Sequence, residues 1–461
     1  MPLAAISFLL AASAFDEKIE SFLAETPVLR RAHWGALAVD AKDGRVRYAR
    51  NADQLFTPAS NTKLFSTALA LTRLGADHRF VTRVVADSNG DLRLIGGGDP
   101  TLSARPSPYA RDRNGGDPLG PLDAIASQVA AAGISRVRGN IVGDDTAYAW
   151  EPFPEGWTQD DTLWEYGAPV SALILHDNYF AMRVSPGSPP TVTVTPPLPY
   201  FQFDVRARSH CCGPNKLSLS RAPGSRLVEI GGSLARAETL EIAVDDPALY
   251  AAFALREALI RRGIAVDGDA VARHRSGDAP APVESGREVA RRVSPPLIET
   301  LKTINKVSQN LQAEIALREV ARQTGAAPTL AAGIAEMKTF LGGIGVPEDA
   351  FHFEDGSGLS RKTLISPSAV VTLLRHMDRP AWRDLLPQGG VDGTLYSRYR
   401  DWKDGEVWAK TGTIGHVGAL SGYARRKGGE WIAFSVIVNH ANARSGEIRG
   451  FIDKIVVALL E

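Results

Sequence analysis

Apolar and polar residues alternate over two segments near the start of the chain, 34–39 and 46–50. This spacing predicts two β-strands, and the pair Asp43-Gly44 between them is typical of a hairpin turn. After Pro58 the spacing becomes that of a helix, and Gly75 is well placed to end it. The apolar residues on one face of this helix are Leu64, Ala68, Leu71 and Leu74.

The middle of the chain is rich in short β-type runs that are separated by glycine and proline clusters. The runs 191–194 and 216–219 predict strands of a separate β module, and a helix returns over 247–263. The segment 273–286 is polar and rich in proline, which predicts a linker or an exposed loop.

The pattern changes again after Ser294-Pro295-Pro296. The predicted elements of this last part are a helix over 311–323, strands over 406–410, 417–424 and 431–439, and a closing helix over 446–460. Strands therefore occur near both chain ends. An antiparallel sheet built from the two ends, with a large insertion between them, accounts for this order.

Length and composition are those of a multidomain globular protein. The chain has 461 residues, which predicts two to four domains, and 44% of them are hydrophobic. Its 52 basic and 52 acidic residues balance. This balance, without any basic run, gives no electrostatic reason to bind nucleic acid, and we expect no nucleic-acid partner.

The first fourteen residues predict a signal peptide. They are apolar, have about the length of a signal-peptide core, and end in the small-x-small pattern Ala12-Ser13-Ala14. They are too short to span a bilayer, and no other stretch predicts a transmembrane anchor. Because the segment lacks the usual basic start, an N-terminal core helix is the alternative. With a signal peptide, the protein is expected to be periplasmic or secreted.

The two cysteines, Cys211 and Cys212, are adjacent in the sequence. Their Cα atoms are about 3.8 Å apart, so a disulfide between them would be strained. Two thiols without further cysteine partners do not make a structural zinc site. We interpret them as unremarkable or locally oxidised residues of a loop, and they do not decide the compartment.

Ser60 and Lys63 form the first of three candidate catalytic motifs. Residues three apart share a helix face, so the amine of Lys63 can approach the hydroxyl of Ser60. Serine becomes a good nucleophile when a neighbouring base removes its proton, and lysine can be that base if burial or a second cation lowers its pKa. Lys410 is a candidate for that cation. The alternative is a helix start with Ser60 as a cap and Lys63 in solvent.

The second motif is Ser308-Gln309-Asn310, directly before a predicted helix. Ser308 could relay protons between the lysines and a leaving amine. Asn310 could donate to a substrate carbonyl or hold Lys63. The alternative is a helix-capping motif without catalytic chemistry.

The third motif, Lys410-Thr411-Gly412-Thr413, follows a predicted short strand and precedes a turn. A strand edge offers backbone N–H groups to an extended peptide, and Gly412 allows a substrate backbone to come close. The N–H groups of Thr413 and Ser60 could form an oxyanion hole. The hydroxyls of Thr411 and Thr413, with Lys410, could bind a terminal carboxylate. The alternative is a surface turn.

Together the three motifs give the chain a close resemblance to D-alanyl-D-alanine carboxypeptidase/endopeptidases of the class C low-molecular-mass penicillin-binding type. The resemblance covers nearly the whole chain and includes about 250 residues between Ser60 and Ser308, where this family carries two inserted domains. Further matching stretches are Pro58 to Leu64, Gly96 to Leu102, Gly139 to Thr146 and Asp355 to Arg361.

The resemblance implies an α+β fold. It consists of a penicillin-binding/β-lactamase-like transpeptidase domain, with a five-stranded antiparallel sheet and helices on both faces, and two inserted, mainly β domains. The expected boundaries are 1–14 for the signal peptide, 15–82 plus 289–461 for the catalytic domain, 83–170 plus 241–288 for the first inserted domain and 171–240 for the second.

The resemblance also implies the chemistry. Ser60 would be the nucleophile, Lys63 the base, and Ser308, Asn310 and Lys410 their catalytic partners. The substrates would be D-Ala-D-Ala termini and D-Ala-diaminopimelate cross-links of peptidoglycan stem peptides, and β-lactams would be covalent inhibitors. No metal or cofactor is expected.

Two further points follow from the resemblance. Gln309 departs from the family, which usually has Asp there, but its side chain is not expected to do chemistry. An acidic residue of an inserted domain helps read the diaminopimelate side chain in this family. Asp145, and less closely Asp144, match that stretch; their alternative is a turn.

Other functions are consistent with part of this evidence. A β-lactamase or a D-peptide esterase would share the fold and the nucleophile, although no obvious deacylating acid motif accompanies the three motifs. A non-catalytic cell-wall-binding or β-lactam-binding protein would keep only a vestigial site. Oligomeric state and peripheral contact with a membrane stay open.

Overall fold

The structure, a computed structural model, describes residues 15, 17–109, 116–277, 279, 285–402 and 405–459. The predicted signal peptide lies outside the described residues. The helices are α1 (17–25), α2 (Thr62–Leu74), α3 (Gly120–Ala131), α4 (Pro247–Arg261), α5 (Leu297–Lys306), α6 (Asn310–Gln323), α7 (Leu330–Gly343), α8 (Pro367–Met377), α9 (Pro380–Arg383) and α10 (Ser445–Ala458).

The strands are short in the middle of the chain and long near its end. They are β1 (His33–Asp40), β2 (Val46–Arg50), β3 (Val81–Ala86), β4 (Leu92–Ile95), β5 (Arg136–Val137), β6 (Ile141–Asp144), β7 (Tyr179–Ser185), β8 (Thr191–Thr195), β9 (Gln202–Val205), β10 (Arg208–Ser209), β11 (Lys216–Ser220), β12 (Leu227–Leu234), β13 (Glu238–Ala243), β14 (Ala265–Val266), β15 (Ala270–Arg273), β16 (Arg287–Val293), β17 (Phe351–His352), β18 (Leu364–Ile365), β19 (Gly405–Ile414), β20 (Val417–Arg426) and β21 (Trp431–Asn439).

The chain divides into two compact units. The first contains Met1–Arg73, Leu301–Leu317 and Ile334–Glu461; the second contains Leu74–Thr300 and Arg318–Gly333. Residues 74–82, 289–300 and 318–333, which were expected in the catalytic domain, fall in the second unit, and the expected domain boundaries stay a prediction. The division of the inserted part into two domains stays a prediction.

Both chain ends contribute to one antiparallel sheet in the first unit. Its strand order is β19-β20-β21-β1-β2, so that β1 from the chain start pairs with β21 from the chain end. This sheet confirms the strands predicted over 34–39, 46–50, 417–424 and 431–439. Three of its strands, β19 to β21, come from the C-terminal part of the chain, and the other two, β1 and β2, come from the N-terminal part.

Helices cover both faces of this sheet. Side chains alternate between its faces, as they do along any β-strand. Trp34 on one face packs edge-on against Phe451 of α10, with ring centroids 5.5 Å apart. On the other face, the hydroxyl of Tyr423 donates to the carbonyl of Leu374 in α8, over 2.5 Å. The expected arrangement of helices around the sheet is confirmed.

The third motif lies within a strand, whereas the sequence pattern ended that strand at Lys410. Strand β19 pairs with β20 without interruption from Gly405 to Ile414. The glycine and threonines of the motif suggest a turn by composition, but their pairing with β20 keeps them in an extended strand. The turn follows at residues 415 and 416.

The second unit contains several small sheets, and helices α3 and α4 lie wholly within it. Its largest sheet has the order β15-β6-β4-β3-β16, and smaller ones contain β13-β7-β8 and β10-β12-β11 with β9. Helices α3 and α4 contribute buried residues to the apolar core of this unit. The carboxylate of Asp246 accepts from the amide of Leu249 and caps α4. The strands predicted over 191–194 and 216–219 correspond to β8 and β11.

No helix among the described residues is long and apolar enough to cross a membrane.

Phe451 tests the packing of α10 on the sheet. It is 2% exposed, so Phe451→Ala should lower the free energy of unfolding by about 3–5 kcal/mol through lost burial and a cavity. The check is the midpoint of urea-induced unfolding. Phe153 is 44% exposed, and Phe153→Ala is the matched control, with a change below about 0.5 kcal/mol. Equal shifts for the two variants would contradict the packing described.

Candidate active site

Ser60 lies in a tight turn at the start of α2. The turn Ala59–Asn61 is a 3-10 helix that leads directly into the α-helix at Thr62. Ala59 has φ +47°, a left-handed conformation that non-glycine residues seldom adopt. Helix α2 follows this turn directly, so Lys63 lies near Ser60, and Lys63 Nζ donates to Ser60 Oγ over 2.9 Å. The pairing predicted from their spacing is present.

Three acceptors surround the amine of Lys63. Besides Ser60 Oγ, it donates to Asn310 Oδ1 over 2.5 Å and to the carbonyl oxygen of Ser357 over 2.7 Å. An ammonium group has three N–H donors, so all of them can be used. Asn310, from the second motif, thus holds Lys63, which is one of the two roles predicted for it.

Burial makes Lys63 a candidate base at neutral pH. Its side chain is fully buried, and this desolvation lowers the pKa of Lys63 to about 7. The carboxylates of Asp355 and Glu314 act in the opposite direction, because negative charge favours the ammonium form. The amine is therefore close to half-protonated near pH 7.

A second serine–lysine pair faces the first. Lys410 Nζ on β19 donates to Ser308 Oγ over 2.8 Å and to the carbonyl of Thr411 over 2.9 Å. Burial lowers the pKa of Lys410 well below its ordinary value, and the positive charge of Lys63 lowers it further. Ser308 has φ +65°, a strained conformation that directs it and Asn310 to different lysines at the start of α6.

On the outer edge of β19, no described backbone group accepts a hydrogen bond from the N–H groups of Thr411 and Thr413. The carbonyl of Val407 and the amide of Ala409 face segment 387–389 across that edge. Every second residue of a strand directs its backbone groups to the same side, so the N–H groups of Thr411 and Thr413 point to the same edge. They are available there for an extended ligand.

The packing of the chain against itself requires glycine at position 412. A Cβ atom at this position would lie 2.6 Å from the carbonyl oxygen of Pro58 and 3.2 Å from the amide nitrogen of Ser60. The sequence suggested that Gly412 lets a substrate backbone come close. In the structure, the segment that comes close to Gly412 is the turn that carries Ser60. As a result, the two oxyanion-hole candidates, the backbone N–H groups of Ser60 and Thr413, lie on neighbouring segments.

Asp145 and Asp144 lie in the second unit. Asp145 is 2% exposed, and its oxygens lie 3.0 and 3.1 Å from Nδ1 of His274, while Ser171 Oγ donates to it over 2.9 Å. Burial opposes a charge on His274, but its hydrogen bonds to Asp145 and Asp246 raise the pKa of His274 to about 10. Asp145 is thus already part of an ion pair. The role in substrate recognition expected for it stays a prediction.

Comparison with known proteins identifies the family of the chain. A family model described as "D-Ala-D-Ala carboxypeptidase 3 (S13) family" matches residues 15–459. The chain is also 36% identical over 453 residues to a D-alanyl-D-alanine carboxypeptidase of Actinomadura sp. (strain R39), which covers 92% of this chain and 80% of that protein. The chain belongs to the D-Ala-D-Ala carboxypeptidase 3 (S13) family.

Two further relatives extend this result. Carboxypeptidase DacB of Mycolicibacterium smegmatis is 29% identical over 415 residues, covering 87% of this chain and 75% of that protein. Penicillin binding protein 4 of Haemophilus influenzae has a crystal structure with a TM-score of 0.79 at 23% identity, covering 95% of this chain and 97% of that chain. The predicted penicillin-binding fold and the predicted class, a serine D-Ala-D-Ala carboxypeptidase, are confirmed.

Gln309, the position that departs from the usual family residue, serves as a helix cap. Its side-chain oxygen accepts from the amide of Gln312 over 3.2 Å at the start of α6. Asp also offers a side-chain oxygen that can cap a helix.

Glu314 was not singled out from the sequence, and the stretch Asp355 to Arg361 was matched to the family without being related to Lys63. Glu314 lies four residues after Asn310 on α6, a spacing that places both on one helix face, and it accepts from the amide of Gly356 over 2.9 Å. Asp355 accepts from the amides of Gly358 and Ser360 and shapes the loop that presents the Ser357 carbonyl. The helical spacing of Glu314 was a usable signal. The matching stretch contains Ser357, but nothing in its local sequence indicated that the Ser357 carbonyl would accept from Lys63.

No group of three or more His, Cys, Asp and Glu side chains in the described part of the chain is placed to hold a metal ion. Both cysteines are free and exposed.

Gly358 tests whether the loop 355–358 supports Ser60. It has φ +77°, and a Cβ atom there would lie 1.9 Å from the carbonyl oxygen of Ala59. Gly358→Ala should displace the turn and lower kcat/KM for D-Ala release by at least about 10²-fold, because small misplacements of reacting groups are costly.

Gly345 is the matched control. It has φ +83° with no atom within 4 Å of an added Cβ, so Gly345→Ala should cost about 1 kcal/mol of stability and leave kcat/KM nearly unchanged. Equal losses of activity in both variants would show that backbone strain, rather than the contact with Ala59, is responsible.

Proposed function

We propose that Ser60 attacks the carbonyl between two D-alanines of a peptidoglycan stem peptide and that Lys63 removes its proton. The observation that carries this proposal is the 2.9 Å contact between Lys63 Nζ and Ser60 Oγ, together with the lowered pKa of Lys63. In the neutral form the amine accepts the hydroxyl proton instead of donating one. The Ser357 carbonyl and Asn310 keep the amine in line while this happens.

The developing oxyanion would be held by the backbone N–H groups of Ser60 and Thr413. The close packing of Gly412 against the Ser60 turn supports this, because it brings the two segments together. Preorganised donors of this kind typically contribute about 10²–10³ in rate each. The extended substrate would lie along the outer edge of β19, and the hydroxyls of Thr411 and Thr413 with Lys410 would bind its terminal carboxylate.

Ser308 would complete the first half-reaction. Its hydroxyl accepts from Lys410 and can relay to the leaving amine the proton that Lys63 took from Ser60, so that Ser308 ends protonated and the acyl group stays on Ser60. Water then attacks the ester, and the serine hydroxyl is released with the shortened peptide. When the leaving amine belongs to a diaminopimelate cross-link, the same steps give endopeptidase activity. β-Lactams would acylate Ser60 as mimics of the substrate.

Substrate selectivity and location are also proposals. Asp145 is the candidate for reading the diaminopimelate side chain, which requires it to exchange part of its contact with His274 or Ser171. We place the protein in the periplasm or outside the cell, on the basis of the predicted signal peptide. The proposed partners are peptidoglycan stem peptides and β-lactams.

Digestion of purified peptidoglycan, with products measured by mass spectrometry, tests the nucleophile. The wild type should release D-alanine and separate cross-linked muropeptides, and Ser60→Ala should lose both activities and the covalent adduct with labelled penicillin. Ser445 is an exposed serine at the start of α10, and Ser445→Ala should behave as the wild type. An adduct that persists in Ser60→Ala would refute the assignment.

The pH dependence of acylation tests the base. The rate constant for acylation by penicillin should rise with pH up to about 7 and then level off, because only the neutral amine of Lys63 can take the proton. Below pH 7 each unit should lower the rate about tenfold. Circular dichroism over the same pH range controls for unfolding. A rate that is constant between about pH 5.5 and 8.5 would exclude Lys63 as the base.

A further inference from the structure

The second unit contains a basic cavity that the proposed chemistry does not use. Its volume is about 730 Å³, within the usual range for small-molecule sites. Five arginines are among its lining residues, namely Arg79, Arg83, Arg93, Arg275 and Arg322, together with one acidic residue, Asp144. None of the lining residues is a candidate catalytic residue, although Asp144 is the weaker of the two carboxylates considered for substrate recognition.

These arginines converge from separate parts of the chain. Arg83 and Arg93 belong to the neighbouring strands β3 and β4, and Arg79 lies just before β3. Arg275 follows β15, and Arg322 lies in the last turn of α6. Such a convergence brings like charges together in one concave space, which is unfavourable unless something compensates for it.

Part of that charge is compensated within the unit. Arg93 forms two hydrogen bonds with Asp87, of 2.5 and 2.8 Å, and lies 3.6 Å from Asp144. Arg322 donates two hydrogen bonds to Glu319, of 2.8 and 2.7 Å. These two guanidinium groups are oriented by carboxylates and remain at the wall of the cavity.

The charge on two other arginines is not compensated in this way. Arg79 donates to the carbonyl of Ser294 over 2.8 Å, and Arg275 donates to the carbonyl of Ala279 over 2.6 Å. A carbonyl orients a guanidinium group but carries no net charge. Neither arginine forms a salt bridge with a carboxylate of the described residues. The cavity therefore keeps a positive excess.

Small residues also line the cavity. Gly96, Gly97, Gly325, Ala326 and Ala327 form part of the wall. A Cβ atom at Gly97 would lie 2.2 Å from the carbonyl oxygen of Val81, so the backbone is already tightly packed beneath this surface. With no aromatic residue among its lining residues, the cavity favours recognition by charge over recognition by apolar contact.

We propose that this cavity binds a short acidic peptide through two or more of its carboxylates. The guanidinium fork matches the geometry of a carboxylate, and several forks distributed over 730 Å³ suit several separated carboxylates better than one compact anion. Uncross-linked peptidoglycan stem peptides have this chemistry. Binding here would be separate from cleavage at Ser60, so the two proposals can fail independently.

The proposal can be tested by isothermal titration calorimetry of the full chain. The first probe is the tetrapeptide L-Ala-γ-D-Glu-diaminopimelate-D-Ala, and the second is inorganic phosphate. The tetrapeptide should bind, and its affinity should fall as salt rises. The variant Arg79→Gln/Arg275→Gln should weaken this binding at least tenfold. Hydrolysis of a soluble D-Ala-D-Ala peptide should stay within twofold of the wild type, which separates this site from the active site.

A charge-matched variant provides the control. Arg138 and Arg236 are exposed residues of the same unit, and Arg138→Gln/Arg236→Gln removes the same charge from outside the cavity. It should bind the tetrapeptide as the wild type does. Arg79→Lys/Arg275→Lys keeps the charge and should bind better than the glutamine variant. Absence of tetrapeptide binding, equal weakening in both glutamine variants, or phosphate binding as tight as that of the peptide would overturn the proposal.

Discussion

The burial of Lys63 is the constraint on which the active site depends. An amine removed from water needs acceptors for its protons, and here Ser60, Asn310 and the carbonyl of Ser357 supply them. Those acceptors belong to the start of α2, the start of α6 and the loop 355–358, so one amine joins three distant parts of the first unit. The same desolvation that demands these contacts lowers the pKa of Lys63 to about 7 and so makes proton transfer accessible at neutral pH.

The second lysine depends on the first. Lys410 is also fully buried, and the two amines disfavour each other's charge, which lowers the pKa of Lys410 further. It reaches Ser308 because β19 lies against the Ser60 turn, an approach that Gly412 alone permits. The contact of Lys410 with Ser308, the lowered pKa of Lys410 and the position of the outer edge of β19 are thus all consequences of the packing of β19 against the Ser60 turn. A change in the Gly358 loop or in β19 would alter the geometry of both lysines.

Much of this arrangement could be predicted from local sequence. Helical spacing located α2 and α6, alternation located β1, β2, β20 and β21, and the three motifs named the serines and lysines of the site. The extent of β19 was not predictable in this way, because its glycine and threonines resemble a turn and only pairing with β20 keeps them in a strand. Glu314 and the Ser357 carbonyl were missed because they act on Lys63 through contacts between distant segments.

The sequence by itself determined the family, the antiparallel sheet from both chain ends and the identity of the paired serines and lysines, since these depend on residue type, order and spacing. Only the tertiary structure decided which acceptors surround each amine, how far each pKa falls, and that Asp145 is already bonded to His274. It also brought five arginines from separate segments to one cavity. Desolvation and charge interactions depend on distances in space, and residues far apart in the chain set those distances.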